Sequence, residues 1–366
     1  MNLALFSRAV YPLHGYGGLE RHCYGWIRAM LKLNCKIDVI TMPPLHSNRL
    51  SEFPRKVSFH FLPGVSARSV FQRITSYPRW VKSAGVLLRK LESTQNLDAV
   101  YAHGLAAAGC NNLETPVYYN PHGMEEFKGS GLKSIAYSGF RNSSRHAARI
   151  ATKVIATDAA MIREVGHFLN VTDSKIALLP NAIDLDPGDV EQFQVDGDPI
   201  FLSVGRLEAN KGFSILLHAL SKATIPKDWK LYLVGQGSQL APLKQLATAL
   251  NLSSRVLFTE ELSDARLNFL YSRAQLFIHP TLYEGSSIVA LEAMKNSLPI
   301  VATKTGGLPD KVFPEKNGWL VQPNDVDELA QAITSAYQNK NQWEHMGQNS
   351  RRIVEEHFSW NCIGPK

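Results

Sequence analysis

This sequence predicts an α/β protein of two domains, each a mostly parallel sheet with helices on both faces. Three observations carry the prediction. Short apolar runs of strand length alternate with helix-length amphipathic stretches along the chain. At 366 residues the chain is too long for one ordinary core and suits two domains. Near the middle, Pro180–Pro199 holds three prolines, two glycines and a run of aspartates but few apolar residues, which reads as an interdomain linker.

In the first half, Asn2–Phe6 reads as a strand, Tyr11–Glu20 (YPLHGYGGLE) as a loop, and the residues to about Leu33 as a helix; KIDVIT at 36–41 is the next strand. Gly17 and Gly18 stand at the ligand end of this β-loop-α-β unit, where glycine lets a backbone approach a ligand closely. A dinucleotide fingerprint would need glycine where Glu20 stands, and no P-loop pattern occurs. Strands at Lys56–Leu62, Leu97–His103, Pro116–Gly123, Lys153–Thr157 and Lys175–Pro180 follow. Helices are expected around Val70–Leu91, after His103, near Leu132–Ala151 and before Lys175. His122 closes its strand, at the end where open α/β sheets bind ligands. Glu125 and Glu126 follow it, placed to contact an acceptor or to cap the next segment.

The second half opens with strand Ile200–Gly205 and the loop RLEANKGF (Arg206–Phe213) before a helix. Two cations there, Arg206 and Lys211, suit a diphosphate. Lys230–Gly237 is a strand ending in glycines, Gly235 among them, and Val256–Ser263, Gln275–Pro280 and Pro299–Asp310 continue the pattern. Within Tyr283–Met294 (YEGSSIVALEAM), Glu284 and Glu292 sit eight residues apart. Glu284 lies in a turn and Glu292 about one and a half turns inside a helix. Gly285 begins the turn's small residues, and Ser286 or Ser287 is the N-cap. That helix start offers free N–H groups and a partial positive charge to an anion. Two acids beside an anion site do not both serve phosphate; at least one should accept hydrogen bonds from hydroxyls, as sugars provide.

Charge and cysteine usage narrow the setting. Cys23, Cys35, Cys110 and Cys362 form no C-x-x-C pair, which argues against a disulfide framework or zinc site and for a reduced, cytoplasmic location. The first apolar run is too short for a signal peptide, and no run spans a membrane. The net charge of +7 is unevenly spread: residues 1–180 hold 22 Lys+Arg against 11 Asp+Glu, residues 181–366 hold 17 against 21. The basic half should face an anionic partner. Arg49–Lys90 carries nine basic residues and one acid, Glu52. Val70, Ile74, Tyr77, Val81, Ala84, Leu88 and Leu91 recur there at helical spacing, accompanied by Phe71 and Trp80, with Pro78 expected to start the helix. Two readings stay open for residues 49–90: a basic amphipathic helix on an anionic membrane surface, or a core-packing stripe with a solvated basic back. Nucleic acid is not an expected partner, because no recognition motif accompanies the charge.

The segment YEGSSIVALEAM resembles the E-x7-E signature of retaining glycosyltransferases of the GT-B fold, particularly family 4. The early glycine pair, His122 with Gly123, the R-L-x-x-x-K-G pattern at Arg206–Gly212 and the late pair Gly306–Gly307 resemble that family in the same order, as do PNAID after Leu179 and FSW at Phe358–Trp360. The resemblance spans nearly the whole chain. It implies two Rossmann-like domains facing across a cleft: residues 1–182 binding acceptor, 183–345 binding a nucleotide sugar, and 346–366 returning to the first domain, by a strap that the short tail predicts to be short. It implies His122 and Glu284 as catalytic residues. Gly17, Gly18, Arg206, Lys211, Gly235, Glu284, Gly285, Ser286, Ser287 and Glu292 are implied to bind the nucleotide sugar. Glu284 would contact the donor sugar and Glu292 the ribose, while His122 would bond a sugar hydroxyl and lend its backbone to the reacting centre. The family's glycine near the base is replaced by Glu260, which leaves the base open. The resemblance implies a nucleoside-diphosphate sugar as donor and, as acceptor, a saccharide or lipid-linked saccharide of the cell envelope, such as lipopolysaccharide, handled in the cytoplasm or on the inner face of its membrane.

In the implied reaction the sugar C1–diphosphate bond breaks as an oxocarbenium-like sugar forms. Arg206, Lys211 and the helix start after Gly285 would stabilise the leaving diphosphate. No metal or other cofactor is expected. Retention and front-face attack are both implied by the resemblance; no opposing carboxylate nucleophile of the kind retaining hydrolases use is identified in the sequence. An epimerase on the same plan and a non-catalytic sugar-nucleotide binder are the alternatives.

Overall fold

The computed structural model describes residues 1–15, 17–63, 70–127, 137–260 and 262–365, with the side chains of 70–75 and 125 outside that set. The chain forms two units, Met1–Pro180 with Ile363–Lys366, and Asn181–Cys362.

The first unit contains β1 (Asn2–Phe6), α1 (Gly18–Lys32), β2 (Lys36–Thr41), β3 (Val57–Phe61), α2 (Val70–Gln95), β4 (Ala99–His103), β5 (Val117–Asn120), α3 (Ser138–Ile150), β6 (Lys153–Ala156), α4 (Ala159–Leu169) and β7 (Ile176–Leu178). All pairings are parallel, in the order β3-β2-β1-β4-β5-β6-β7. Strand order reverses between β1 and β4, which makes their carboxyl ends the place for a ligand. β1 is apolar at nearly every position because helices cover both faces of a parallel sheet. α1 buries His22, Cys23, Trp26, Ile27 and Met30 at three- and four-residue steps. α4 starts where Asp158 accepts from the Met161 N–H and stops at left-handed Asn170.

Pro78 lies inside α2 rather than at its start, as the sequence had suggested. An interior proline costs roughly 3 kcal/mol. Burial of Trp80, Leu88 and Leu91, at about 1.5–3 kcal/mol for each large side chain, outweighs it. Tyr77 and Val81 pack against the same core, while Arg79, Lys82 and Lys90 are exposed. The described part of the α2 stripe is therefore core-packing with a solvated basic back; the side chains of Val70, Phe71 and Ile74 lie outside the described residues. So do Glu125's side chain and the first residues of the helix expected near Leu132.

The second unit contains β8 (Ile200–Val204), α5 (Phe213–Lys222), β9 (Lys230–Val234), α6 (Leu240–Ala249), β10 (Val256–Thr259), α7 (Asp264–Arg273), β11 (Leu276–His279), α8 (Ile288–Lys295), β12 (Ile300–Thr303), β13 (Gly318–Val321), α9 (Val326–Gln338), α10 (Trp343–His357) and the short α11 (Trp360–Ile363), whose last residue groups with the first unit. Its sheet is again parallel, ordered β10-β9-β8-β11-β12-β13, with the reversal between β8 and β11. One core cluster gathers Phe201, Trp229 and Ile278, and another gathers Leu202, Phe277, Leu291 and Met294. Alternation along β11 sends Phe277 to one cluster and Ile278 to the other. Both units are Rossmann-like α/β layers, in agreement with the expected fold class.

Candidate active site

In the second unit, the site is built on the carboxyl ends of β8 and β11. Lys211 ends a short turn after β8, and left-handed Gly212 follows it (φ 68°). A Cβ on Gly212 would stand 2.1 Å from the Pro280 carbonyl, so only glycine lets this turn lie against the loop after β11. The Leu282 N–H donates to the Asn210 carbonyl (2.9 Å) and fixes the approach. The result is an ion pair between Lys211 Nζ and Glu284 Oε2 at 2.8 Å, both side chains largely buried.

His279, the last residue of β11, completes the cluster. Its Nε2 stands 3.2 Å from Glu284 Oε2 and 3.1 Å from Ser287 Oγ. Burial works to raise the Glu284 carboxyl, but the His279 hydrogen bond and the Lys211 charge outweigh it and hold the pKa at about 2. Glu284 is therefore ionised at neutral pH. Ser287 is the N-cap of α8, its hydroxyl accepting from the Ala290 N–H. Ser286 does something else: its hydroxyl accepts from Lys311 Nζ (3.1 Å), a fully buried lysine that also donates to the Gly307 carbonyl (2.9 Å). Asn181 Nδ2 holds the Ser286 carbonyl at 2.9 Å. The Gly307 N–H donates to the Gly285 carbonyl (3.0 Å), and a Cβ on Gly306 would lie 2.1 Å from the Glu284 carbonyl. The two loops are thus fastened into one surface around the start of α8.

The remaining residues of this set are less tightly joined. Arg206 is exposed just after β8. Gly235 ends β9 against the Gly205 carbonyl. Glu292 is half-buried inside α8 and accepts from the Tyr271 hydroxyl (3.1 Å), away from the Lys211–Glu284 pair's own contacts. Glu260, after β10, is exposed and pairs with Lys244 at 3.0 Å.

His122, Gly17 and Gly18 belong to the first unit. Gly17 is the N-cap of α1, where a Cβ would stand 2.2 Å from Glu20 Oε2, while a Cβ on Gly18 would meet nothing within 4 Å. His122 is left-handed (φ 57°), a conformation costly for a residue with a Cβ and held here by its neighbours. Its N–H donates to Asn120 Oδ1 at 3.0 Å, an Asx turn across Pro121. Asn120 Nδ2 donates to the Tyr101 hydroxyl (2.9 Å), which lies 3.2 Å from His22 Nε2. The His122 ring stacks on His103 with centroids 4.8 Å apart, its Nε2 in hydrogen-bond contact with His103 Nδ1. The His22 ring is 5.3 Å from that of His103 and 5.7 Å from that of His122. Burial, reinforced by the His22 imidazole and the Arg8 charge, lowers His122 to about 3; burial with the His122 and His22 imidazoles drives His103 well below the usual histidine range; burial alone lowers His22 to about 4. All three are neutral at pH 7. Among the described residues, no group of three His, Cys, Asp or Glu side chains is arranged to hold a metal ion.

Sequence reasoning passed over His22, Tyr101, His103, Asn120, Asn181, His279 and Lys311. His103 and His279 carried the same signal as His122, a histidine closing a predicted strand. Nothing in the local sequence marks Lys311, whose partners are 25 residues upstream and four residues away.

Residues 16–187 match Glycosyltransferase Family 4 and residues 189–353 match Glycosyl transferases group 1. An uncharacterised glycosyltransferase of Methanocaldococcus jannaschii is 25% identical over 376 residues, spanning 96% of this chain and 93% of the relative. Sucrose-phosphate synthase from Thermosynechococcus elongatus has a similar structure, with a TM-score of 0.83 and 21% identity over 100% of this chain and 96% of the other. HepE of Anabaena, solved in complex with UDP-glucose, matches with a TM-score of 0.75 and 20% identity over 100% and 97% of the two chains. Family 4 and group 1 domains in succession, on two parallel α/β units, make this chain a member of the glycosyltransferases of the GT-B fold.

Proposed function

We propose that the chain is a retaining glycosyltransferase that moves a hexosyl group from a nucleoside-diphosphate sugar to a saccharide or lipid-linked acceptor in cell-envelope polysaccharide or lipopolysaccharide synthesis. The observation that carries the proposal is the ionised Glu284 held by Lys211 and His279 beside the start of α8. A carboxylate kept charged in a largely buried place is an acceptor for sugar hydroxyls. Lys211, Arg206 and the free N–H groups of α8 would face the diphosphate, so the Lys211–Glu284 pair would open toward the donor as each side chain takes its share. Charge then grows on the leaving diphosphate while cations already in place stabilise it. Glu292 would hold the ribose, and neutral His122 would bond a sugar hydroxyl through its ring, its carbonyl facing the reacting centre. Gly17, Gly18, Gly235, Gly285, Ser286 and Ser287 would line the donor with backbone and small side chains. No metal is required in this scheme, so transfer is expected to survive a chelator.

The UDP-glucose bound by HepE makes that donor the first to test, although Glu260 leaves the base open here. The exposed Arg79, Lys82 and Lys90 on α2, within a strongly basic first half, support a cytoplasmic protein resting peripherally on an anionic inner-membrane face. Incubation of the enzyme with a panel of nucleotide sugars, with and without saccharide acceptors, tests the proposal by mass spectrometry and anomeric NMR. A glycosylated acceptor with the donor's anomeric configuration is expected. Donor conversion without acceptor would favour the epimerase reading, and inverted product would overturn retention.

A further inference from the structure

The geometry points to His103 as a positioning residue that fixes His122 as its Nδ1–H tautomer, a neutral hydrogen-bond donor. The assignment follows from counting donors. His103 Nδ1 and His122 Nε2 share one hydrogen bond, so one of the two carries the proton. If His122 donated, His103 would be the Nε2–H tautomer. That Nε2 is buried with no hydrogen-bond partner among the described residues, and a stranded N–H is the rarer and costlier defect than a stranded lone pair. His103 therefore donates from Nδ1, and His122 keeps its own proton on Nδ1, a nitrogen with no hydrogen bond among the described residues.

The surroundings hold this arrangement from the other side. Asn120 Nδ2 donates to the Tyr101 hydroxyl, whose oxygen lies 3.2 Å from His22 Nε2. Asn120 is thereby oriented with its carbonyl oxygen toward the His122 N–H. Ring and backbone of His122 are both set, by residues from α1, β4 and β5. His122 then acts toward a ligand oxygen as a donor and cannot take a hydroxyl proton through Nε2.

Only the consequence for transfer rests on the glycosyltransferase proposal; the tautomer can be read without substrate. Two-bond 1H–15N spectra of the [15N]histidine-labelled protein at pH 7.5, with the His122 signals assigned by their loss in His122→Asn, should show Nδ1 protonated and Nε2 bare. An Nε2–H or doubly protonated His122 would overturn the inference. His103→Phe keeps a ring but removes the donor, and should shift His122 toward a tautomer mixture. Its kcat should fall about tenfold, as losses of orienting partners do, with donor KM changed less than twofold. His103→Asn, which returns an N–H near the Nδ1 position, should restore both. An unchanged His122 spectrum in His103→Phe would also overturn it.

Discussion

Each unit ends a central strand with a histidine where its own strand order reverses, yet the two histidines live in opposite electrostatic worlds. His279 closes β11 and faces a carboxylate, with a lysine on the same oxygen. His103 closes β4 and faces two other imidazoles, while a tyrosine and an asparagine complete its cluster. Position in the fold is the same, since both sit beside the point where strand order reverses. Partners differ, and partners decide: one site is held together by charge, the other stays neutral because three buried imidazoles cannot share a proton cheaply. A site that must meet a diphosphate needs the first kind of surroundings. A site that meets hydroxyls, or a sugar growing positive, is served by the second.

The largest expected effect comes from removing charge where charge is used. Glu284→Gln keeps the shape but leaves Lys211 without its carboxylate, and Lys211→Ala removes the cation itself. Loss of one fixed electrostatic contact in such a site typically costs about 10²–10³ in kcat. Both variants should therefore lose transfer by that factor while keeping wild-type circular dichroism. Turnover like the wild type in both would break the contrast, because the charged network would then be structural only.

That pairing was only half legible in the sequence. Strand-to-loop junctions, the Glu284–Glu292 spacing and the cations after β8 could be read because local apolar runs fix strands and small polar residues fix turns. Which serine capped α8 could not be decided, because Ser286 is claimed by Lys311, a contact 25 residues away. That the described part of the α2 stripe packs into the core is visible only in the folded chain, where it joins Phe6, Val100 and Tyr119 from three strands in one cluster. β13, a four-residue strand beginning with glycine, carries no periodic signal of its own and exists because β12 offers it an edge. His122 and His103 could be read singly as strand ends, but not as a cluster with His22, because the three are spread over residues 22 to 122.

Acid should separate the two units next. A histidine whose folded pKa is lowered favours folding while it is neutral, so its contribution is complete above the unfolded value of about 6.5 and falls away as pH drops toward the folded value. For His22, lowered to about 4, the loss between pH 7 and pH 5 is about 2 kcal/mol. His122 and His103 act in the same direction. Glu284 has the opposite sense: its lowered pKa stabilises the fold above about 4.5, a contribution lost only as pH falls from there toward about 2. Amide hydrogen exchange at pH 7 and pH 5, corrected for intrinsic rates, should show α1, β4 and β5 losing protection while β8, β11 and α8 keep theirs. Equal losses in both units would show that the imidazoles are not neutral in the fold.

Ser287 offers the smallest and sharpest cut, because it belongs to both a helix cap and the charged network. Its hydroxyl accepts from the Ala290 N–H and also lies beside His279 Nε2. Ser287→Ala should lower the stability of the second unit by about 1 kcal/mol, the usual worth of an N-cap. If the cap is all that is lost, Ser287→Asp, another good cap, should recover that stability. It should not recover transfer, since a second carboxylate next to Glu284 competes for His279 and raises the negative charge where the proposed donor would bring its diphosphate. Stability restored with activity still low would place the hydroxyl's neutrality, rather than its capping bond, at the root of the site's preference for serine.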